Sequence, residues 1–284
     1  MPDPTVSTPS APAPPAPTTI ALIDSGKGLL PTARWLARLV PGVRLLLCSD
    51  PDGSPWGERE PADVIGRVIQ LAQQAIGAGA QAIVLACNTA SVTALPAVRA
   101  RFEPGVPVIG TVPAVKPAAE RCDRFAVWAT QVTARSDYLR GLLDAFAAGE
   151  RASIVGSPDL AEAIQDADDA RIDAAIAGAA AQTPAAATGV VLGCTHYPLV
   201  ADRIQAALPG MQLFDSSGAV ARQTLRRLGL SADAGAGAGD AGAGDAGAGD
   251  AGAGDAGAEL DDPLAAVGAV DEPVPGATEI LLGQ

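Results

Sequence analysis

Two short segments of this chain place a cysteine among hydroxyl and amide side chains directly behind an apolar run. Cys87-Asn88-Thr89-Ala90-Ser91 follows Ile-Val-Leu-Ala, and Cys194-Thr195-His196-Tyr197-Pro198 follows Val-Val-Leu-Gly. A third polar cluster, Asp24-Ser25-Gly26-Lys27-Gly28, closes the apolar run that begins at Thr19. Two similar cysteine units suggest two half-sites facing each other. Facing thiols suit a particular proton chemistry, in which one group removes a proton from carbon on one face and the other returns a proton on the opposite face. Inverting the α-carbon of an amino acid requires this, and thiol and thiolate can exchange the acid and base roles. A free thiol titrates near pH ~8.5 and is lowered by nearby donors. Backbone N–H groups and the Asn88, Thr89 and Thr195 side chains offer such donors.

A single cysteine at a strand end is ordinarily a small buried hydrophobe. Cys48 and Cys122, which have no comparable polar cluster, are read that way. His196 is the only histidine in the chain and sits two residues from Cys194, so it is read as an assistant to that thiol. Asp24 is a candidate for the site, with helix capping as its alternative role. Other chemistries fit poorly. There is no G-x-S-x-G elbow for a serine hydrolase. The Gly26/Gly28 loop lacks the G-K-[ST] ending of a P-loop and the third glycine of a dinucleotide fingerprint. The four cysteines are widely spaced, with no C-x-x-C, so no metal site is expected. Reduced thiols of a cytosolic enzyme fit the spacing better than disulfides.

Alternating elements must carry these clusters. Short apolar, β-branched runs recur at Thr19–Asp24, Val43–Ser49, Ala82–Ala86, Val106–Gly110, Phe125–Ala129, Ala152–Val155, Gly189–Gly193 and Met211–Phe214. Helical spacing separates nearly all of them, as over Asp63–Ile76, Ser136–Phe146 and Ala219–Leu228. Strands alternating with helices predict an α/β fold with parallel sheets covered on both faces. Ligands of such sheets collect at the carboxyl ends of the strands, where all three clusters lie.

The 284 residues are 48% hydrophobic and carry a formal net charge of −13. Residues 231–284 hold 11 acidic side chains and no Lys or Arg, leaving 19 basic and 21 acidic side chains, a net of −2, in residues 1–230. The folded part thus lacks the basic footprint of a nucleic-acid binder. Residues 1–18 form a Pro/Ala-rich arm and residues 231–284 an acidic Gly/Ala-rich tail, where Ala-Gly-Ala-Gly-Asp recurs up to Asp255. Both are expected to be disordered on composition. No signal peptide and no membrane-spanning stretch is read, so the expected location is cytoplasmic.

The ordered motifs Asp24-Ser25-Gly26, Pro55-Trp56-Gly57, Cys87–Ser91, Gly110–Pro117, Ala129–Thr133 and Gly193–Pro198, extended by Leu213–Arg222, resemble those of glutamate racemases, with Gly110–Pro117 most similar to the enterobacterial type. The resemblance covers about residues 19–229. It implies two similar α/β domains with the substrate between them, one formed by residues 19–112 plus 212–230 and the other by 113–211. It implies Cys87 and Cys194 as the two acid/base thiols, with Asp24 assisting at Cys87 and His196 at Cys194. Asp24, Ser25, Pro55, Trp56, Gly57, Asn88, Thr89, Thr130, Thr133, Thr195 and His196 would bind the substrate, glutamate. No cofactor and no metal is implied. A peptidoglycan-precursor activator and a monomeric or homodimeric state accord with the family, whose product supplies cell-wall synthesis. A related racemase of aspartate or another acidic amino acid, or a weakly active relative kept for binding, is the alternative.

Three departures from the family pattern stand out. Lys27 and Leu29 occupy positions of the usual Asp-Ser-Gly-Val-Gly-Gly loop, and Lys27 is a candidate contact for a dicarboxylate. Trp56 replaces a tyrosine. A family acid aligns with Gln165, so assistance to His196 is expected to weaken, with Glu162 the neighbouring carboxylate.

Overall fold

The computed structural model describes residues 17–146, 148–230, 270 and 272–282. In chain order the first half runs β1 (Thr19–Asp24), α1 (Leu30–Leu39), β2 (Arg44–Ser49), α2 (Pro61–Gly77), β3 (Ala82–Leu85), α3 (Asn88–Phe102), β4 (Val108–Gly110) and α4 (Val115–Arg121). The second runs β5 (Phe125–Thr130), α5 (Gln131–Arg135), α6 (Asp137–Ala145), β6 (Ala152–Ser157), α7 (Leu160–Asp166), α8 (Asp169–Gln182), β7 (Gly189–Leu192), α9 (Ala201–Ala207), β8 (Gln212–Phe214), α10 (Ser217–Arg227) and β9 (Ala277–Leu281). Two sheets result, ordered β4-β3-β1-β2-β9 and β6-β5-β7-β8, and every strand pair is parallel.

Burial explains why these runs became strands. All six residues of β1 are buried, and they divide by parity between two clusters. Ala21 and Ile23 pack under α2 and α3, while Ile20 and Leu22 pack with Ala33 and Leu36 of α1 and Ala221 of α10. The second sheet repeats the arrangement. Ala126 and Trp128 face α7, α8 and α9; Phe125, Val127 and Ala129 face α4 and α6. A strand buried on both faces reads as one uninterrupted apolar run, and each fully buried aliphatic side chain contributes roughly 1.5–3 kcal/mol. The helices end where local chemistry stops them. Pro61 opens α2 at a position where its missing N–H costs nothing, and Gly79 at φ +96 reverses the chain into β3.

Each sheet has a topological switch point. The chain steps from β1 outward to β2, then returns to place β3 on the other side of β1; likewise β6 and β7 flank β5. The crevice at such a point, outside the carboxyl ends of the strands, is where open α/β sheets bind ligands. Asp24 lies at the end of β1 and Cys87 past β3; Thr130 lies at the end of β5 and Cys194 past β7.

Two expected boundaries shift. The family resemblance puts residues 212–230 in the first unit, yet Gly189–Val191 of β7 pair with Gln212–Phe214, so β8 completes the second sheet and, of that segment, α10 returns to pack on α1. Ala277–Leu281, expected within the acidic tail, is a strand that pairs in parallel with Leu45–Ser49 and covers the exposed edge of β2. An uncovered edge of unpaired N–H and C=O groups is a liability, and the apolar Ile280, Leu281 and Leu282 supply the surface to cover it. The remaining expectations for the arm (1–16) and the tail (231–269) fall outside the described residues.

Candidate active site

Cys87 is the N-cap residue of α3, with extended backbone (φ −144, ψ 127). Its thiol faces the Ala90 N–H, one of the donors left open at a helix start. Cys194 repeats this placement two residues past β7, where the His196 and Tyr197 N–H groups face its sulfur. These donors favour the thiolate, but burial opposes them and wins. Cys194 is pushed up to about 12, chiefly by desolvation. Cys87 is raised well above the usual thiol range by burial first and by the Asp24 charge second, with Cys194 adding to it. Both cysteines line one cavity.

Asp24 is fully buried at the end of β1, and its Oδ1 accepts from the Ser25 N–H at 2.7 Å. Burial raises its pKa to about 7, against the Cys87 thiol and the Ser25 and Gly28 N–H groups, which favour the carboxylate. Oδ2 has no hydrogen-bond partner among the described residues. A side chain at position 28 would fill the space around it. A Cβ on Gly28 would stand 2.2 Å from Asp24 Oδ2, 2.5 Å from Thr195 Oγ1 and 2.7 Å from His196 Nδ1. That glycine lets groups from both sheets converge.

His196 Nδ1 lies 3.8 Å from Cys194 Sγ, and Nε2 lies 3.2 Å from Gln165 Oε1. Burial, with the Lys27 charge behind it, lowers the imidazole to about 4, so it is neutral at physiological pH. Gln165, on α7, also accepts the Lys27 N–H at 2.8 Å. Asn88 makes a second link between the halves, donating from Nδ2 to the Gly193 carbonyl at 2.9 Å. Its Oδ1 is buried without a partner.

The cavity between the sheets has a volume of about 120 Å³. That is several times the ~30 Å³ share of one water, which suits a small metabolite. From the first half, Asp24, Ser25, Pro55, Trp56, Gly57, Cys87, Asn88 and Thr89 line it; from the second, Thr130, Thr133, Cys194, Thr195 and His196. All the catalytic and substrate-binding candidates read from the sequence therefore line one cavity, whereas Lys27, like every other Lys and Arg among the described residues, is not part of its lining. Thr130 Oγ1 caps the start of α5 by accepting from Thr133 N–H at 3.3 Å. Trp56 is among the lining residues, and its Nε1–H donates to the buried Asp50 carboxylate at 2.8 Å.

Sequence reasoning missed several participants. Gln165 takes the hydrogen bond expected of a carboxylate, whereas Glu162 lines the mouth and lies 3.9 Å from Arg171. Asp50 anchors the loop that carries Pro55 and Trp56, accepting also from the Gly53 N–H at 3.0 Å and pairing with Arg67 at 3.0 Å. The signal for Asp50 was its place one residue after β2. Nothing local marked Gly28 as a point of close approach. Among the described residues no group of three or more His, Cys, Asp or Glu is arranged to hold a metal ion.

The chain is similar to proteins of known family. Residues 33–224 match the family model for Asp/Glu/hydantoin racemases. The glutamate racemase of Proteus mirabilis is 35% identical over 222 residues, covering 72% of this chain and 74% of that one. The glutamate racemase of Haemophilus influenzae is 36% identical over 217 residues, covering 72% and 78%. Among solved structures, Escherichia coli glutamate racemase in complex with L-glutamate and the activator UDP-MurNAc-ala superposes with a TM-score of 0.71 at 31% identity, over 75% of this chain and 83% of that one. A Bacillus anthracis glutamate racemase isoform gives 0.62 at 25% identity, over 75% and 83%. The chain belongs to the Asp/Glu/hydantoin racemase family, on its glutamate racemase branch.

Proposed function

We propose that this protein interconverts L- and D-glutamate, with Cys87 and Cys194 as the two acid/base groups, and so supplies D-glutamate for peptidoglycan synthesis. The observation that carries the reading is the pair of buried thiols at the two switch points, Cys87 facing the Ala90 N–H and Cys194 the His196 and Tyr197 N–H groups, each beside its own proton acceptor. Asp24 stands by Cys87 and His196 by Cys194. In the reaction, one thiolate takes the α-proton, the C–H electron pair is left on carbon, and the opposite thiol returns a proton to the other face. Running the sequence backwards exchanges the two roles.

The wall supports an amino acid as the molecule held there. Asp24 Oδ2 and Asn88 Oδ1 are buried and make no full hydrogen bond among the described residues. Leaving such groups unpaired costs about 1–3 kcal/mol each, and a substrate ammonium satisfies both. With no Lys or Arg in the lining, the carboxylates fall to the Ser25, Thr89, Thr130, Thr133 and Thr195 hydroxyls and to the α3 N-terminus, which carries partial positive charge. No residue role calls for a cofactor. The Escherichia coli structure was determined with a UDP-linked activator; a molecule of that size exceeds this cavity, so an activator of this protein would act from outside it.

The test is incubation with L-glutamate in D2O without added cofactor, followed by NMR and polarimetry. Loss of the α-proton signal together with decay of rotation to zero is expected. Exchange of L-aspartate but not L-glutamate would transfer the reading to a related acidic amino acid, and no exchange of either, with or without a peptidoglycan precursor, would overturn it.

A further inference from the structure

We propose that Gln165 is a positioning residue that clasps the two halves of the molecule and holds His196 as its Nε2–H tautomer, leaving Nδ1 as an open acceptor toward Cys194. The argument starts from the one group whose role is beyond choice. Lys27 N is a backbone donor, and it lies 2.8 Å from Gln165 Oε1. The atom facing it must be the amide oxygen, since the amide nitrogen would set donor against donor. The same oxygen lies 3.2 Å from His196 Nε2. An amide oxygen only accepts, so Nε2 must carry a hydrogen. In a neutral imidazole one nitrogen donates and the other accepts, which leaves Nδ1 with its lone pair. Nδ1 is the nitrogen 3.8 Å from Cys194 Sγ.

The loop is built to admit this amide. A Cβ on Gly26 would stand 2.1 Å from Gln165 Oε1 and 2.6 Å from Cδ, so the carboxamide rests on bare backbone. Gln165 belongs to α7 beside the second sheet, and Lys27 to the loop after β1 of the first. One oxygen therefore ties the seam between the halves to the proton arrangement at Cys194. When that thiol must act as a base, its S–H bond breaks and an Nδ1–H bond forms. A thiolate and an imidazolium result, with Nε2–H still bound to Gln165. A histidine in the opposite tautomer would point an N–H at the thiol and have no site for the proton.

The tautomer is a property of the resting protein, so it can be read without turnover; only its kinetic consequence rests on the racemase reading. His196 is the only histidine, and its two ring nitrogens give the only imidazole signals in a 15N NMR spectrum of the untagged protein. The expected wild-type result at pH 7 is a protonated Nε2 and an unprotonated Nδ1. Gln165→Met keeps the length of the side chain and removes the acceptor; it should give a tautomer mixture or the Nδ1–H form. Gln165→Glu restores an acceptor and should restore the Nε2–H form.

In turnover, Gln165→Met should lower kcat by about a hundredfold, the lower reach of acid–base assistance, with KM little changed. Gln165→Glu should recover kcat and add an acid limb to the pH profile, because its charge favours the imidazolium. An Nδ1–H form in the wild type, or an unchanged Nε2–H form in Gln165→Met, would overturn the proposal. A wild-type protein that shows the expected tautomer shift yet never racemises glutamate would leave the clasp standing and remove the racemase reading.

Discussion

Gly28→Ala isolates the steric convergence at the centre of the site. Residue 28 sits in a short 3-10 turn, Lys27–Leu29, and the torsions there place no demand on glycine. The effect of a methyl group is therefore one of space. Its carbon would stand 2.2 Å from Asp24 Oδ2, 2.5 Å from Thr195 Oγ1 and 2.7 Å from His196 Nδ1. Ordinary contact begins near 3.4 Å, so these groups must retreat by roughly 1 Å. Three of them cannot move independently. Asp24 is held by the Ser25 N–H and His196 by Gln165, and all belong to a packed interior. Overpacking of this kind costs about 1–3 kcal/mol of stability. A displacement of about 1 Å at reacting groups costs about 10²-fold in rate. The expected outcome is a folded protein, its melting temperature lowered by a few degrees, with kcat/KM reduced about a hundredfold. Because the equilibrium constant of a racemisation is one, the loss must be equal from L- and from D-glutamate. Gly66→Ala is the matched control, since Gly66 lies in α2 with nothing within 4 Å of the added carbon. It should leave turnover unchanged and stabilise by roughly 0.5–1 kcal/mol. Wild-type kcat/KM in Gly28→Ala would refute the convergence.

Cys87→Ala and Cys194→Ala should each abolish racemisation. Each should still exchange the α-proton of a single enantiomer with solvent and with retention, the two variants choosing opposite enantiomers; NMR in D2O reads this, and exchange of the same enantiomer by both would reject facing thiols. Asp24 has its pKa raised from 3.8 to about 7 by burial, so the folded state binds its proton more tightly than the unfolded chain. Its contribution to stability is present at low pH and is lost as pH rises from about 4 to about 7. With 1.36 kcal/mol per unit, Asp24→Asn should stabilise the protein at pH 8 by at most about 4 kcal/mol and by almost nothing at pH 3.5, as urea titrations would measure. The same substitution should remove an acid limb of kcat/KM with its midpoint near 7. Deleting residues 277–284 should uncover the edge of β2 and strip Leu282 from the cluster that holds Trp56. A lower melting temperature and a raised KM are expected, and an unchanged KM would show that β9 does not support the pocket wall.

What was legible in the sequence follows from burial. Strands of a parallel sheet covered on both faces carry apolar residues at every position, so β1, β2 and β5 announced themselves, and β1 has the expected bounds of Thr19–Asp24. Chemistry placed directly behind those runs was legible for the same reason, because the carboxyl ends of parallel strands all open to one side. Pairing over long distances was not. β8 lies between elements of both halves, and only its hydrogen bonds to β7 decide its sheet. β9 has only exposed and half-buried residues, sits on a sheet edge and follows a low-complexity run, so its five residues carry too little apolar pattern to stand out. Side-chain partners across the seam were equally hidden. Gln165 reads as a lost acid until its oxygen is seen between Lys27 N and His196 Nε2.

The raised thiols look at first like the wrong chemistry, since reactive cysteines usually have lowered pKa values. The substrate resolves this. A nucleophile benefits from being a thiolate most of the time, but a base that must take hydrogen from carbon benefits from being strong in the moment it acts, and basicity rises with pKa. Burial that pushes Cys194 to about 12 makes its thiolate scarce and potent together. Asp24, poised near 7 beside Cys87, and the open Nδ1 beside Cys194 can receive a thiol proton. On the proposed reading, a substrate ammonium at Asp24 Oδ2 and Asn88 Oδ1 adds positive charge to a cavity whose described lining has no Lys or Arg. Attraction between charges grows as water is excluded, so the same burial that disfavours an isolated thiolate strengthens its pairing with the bound substrate. On this account the empty site rests with both thiols protonated. Binding of the amino acid is the event that makes one of them a base.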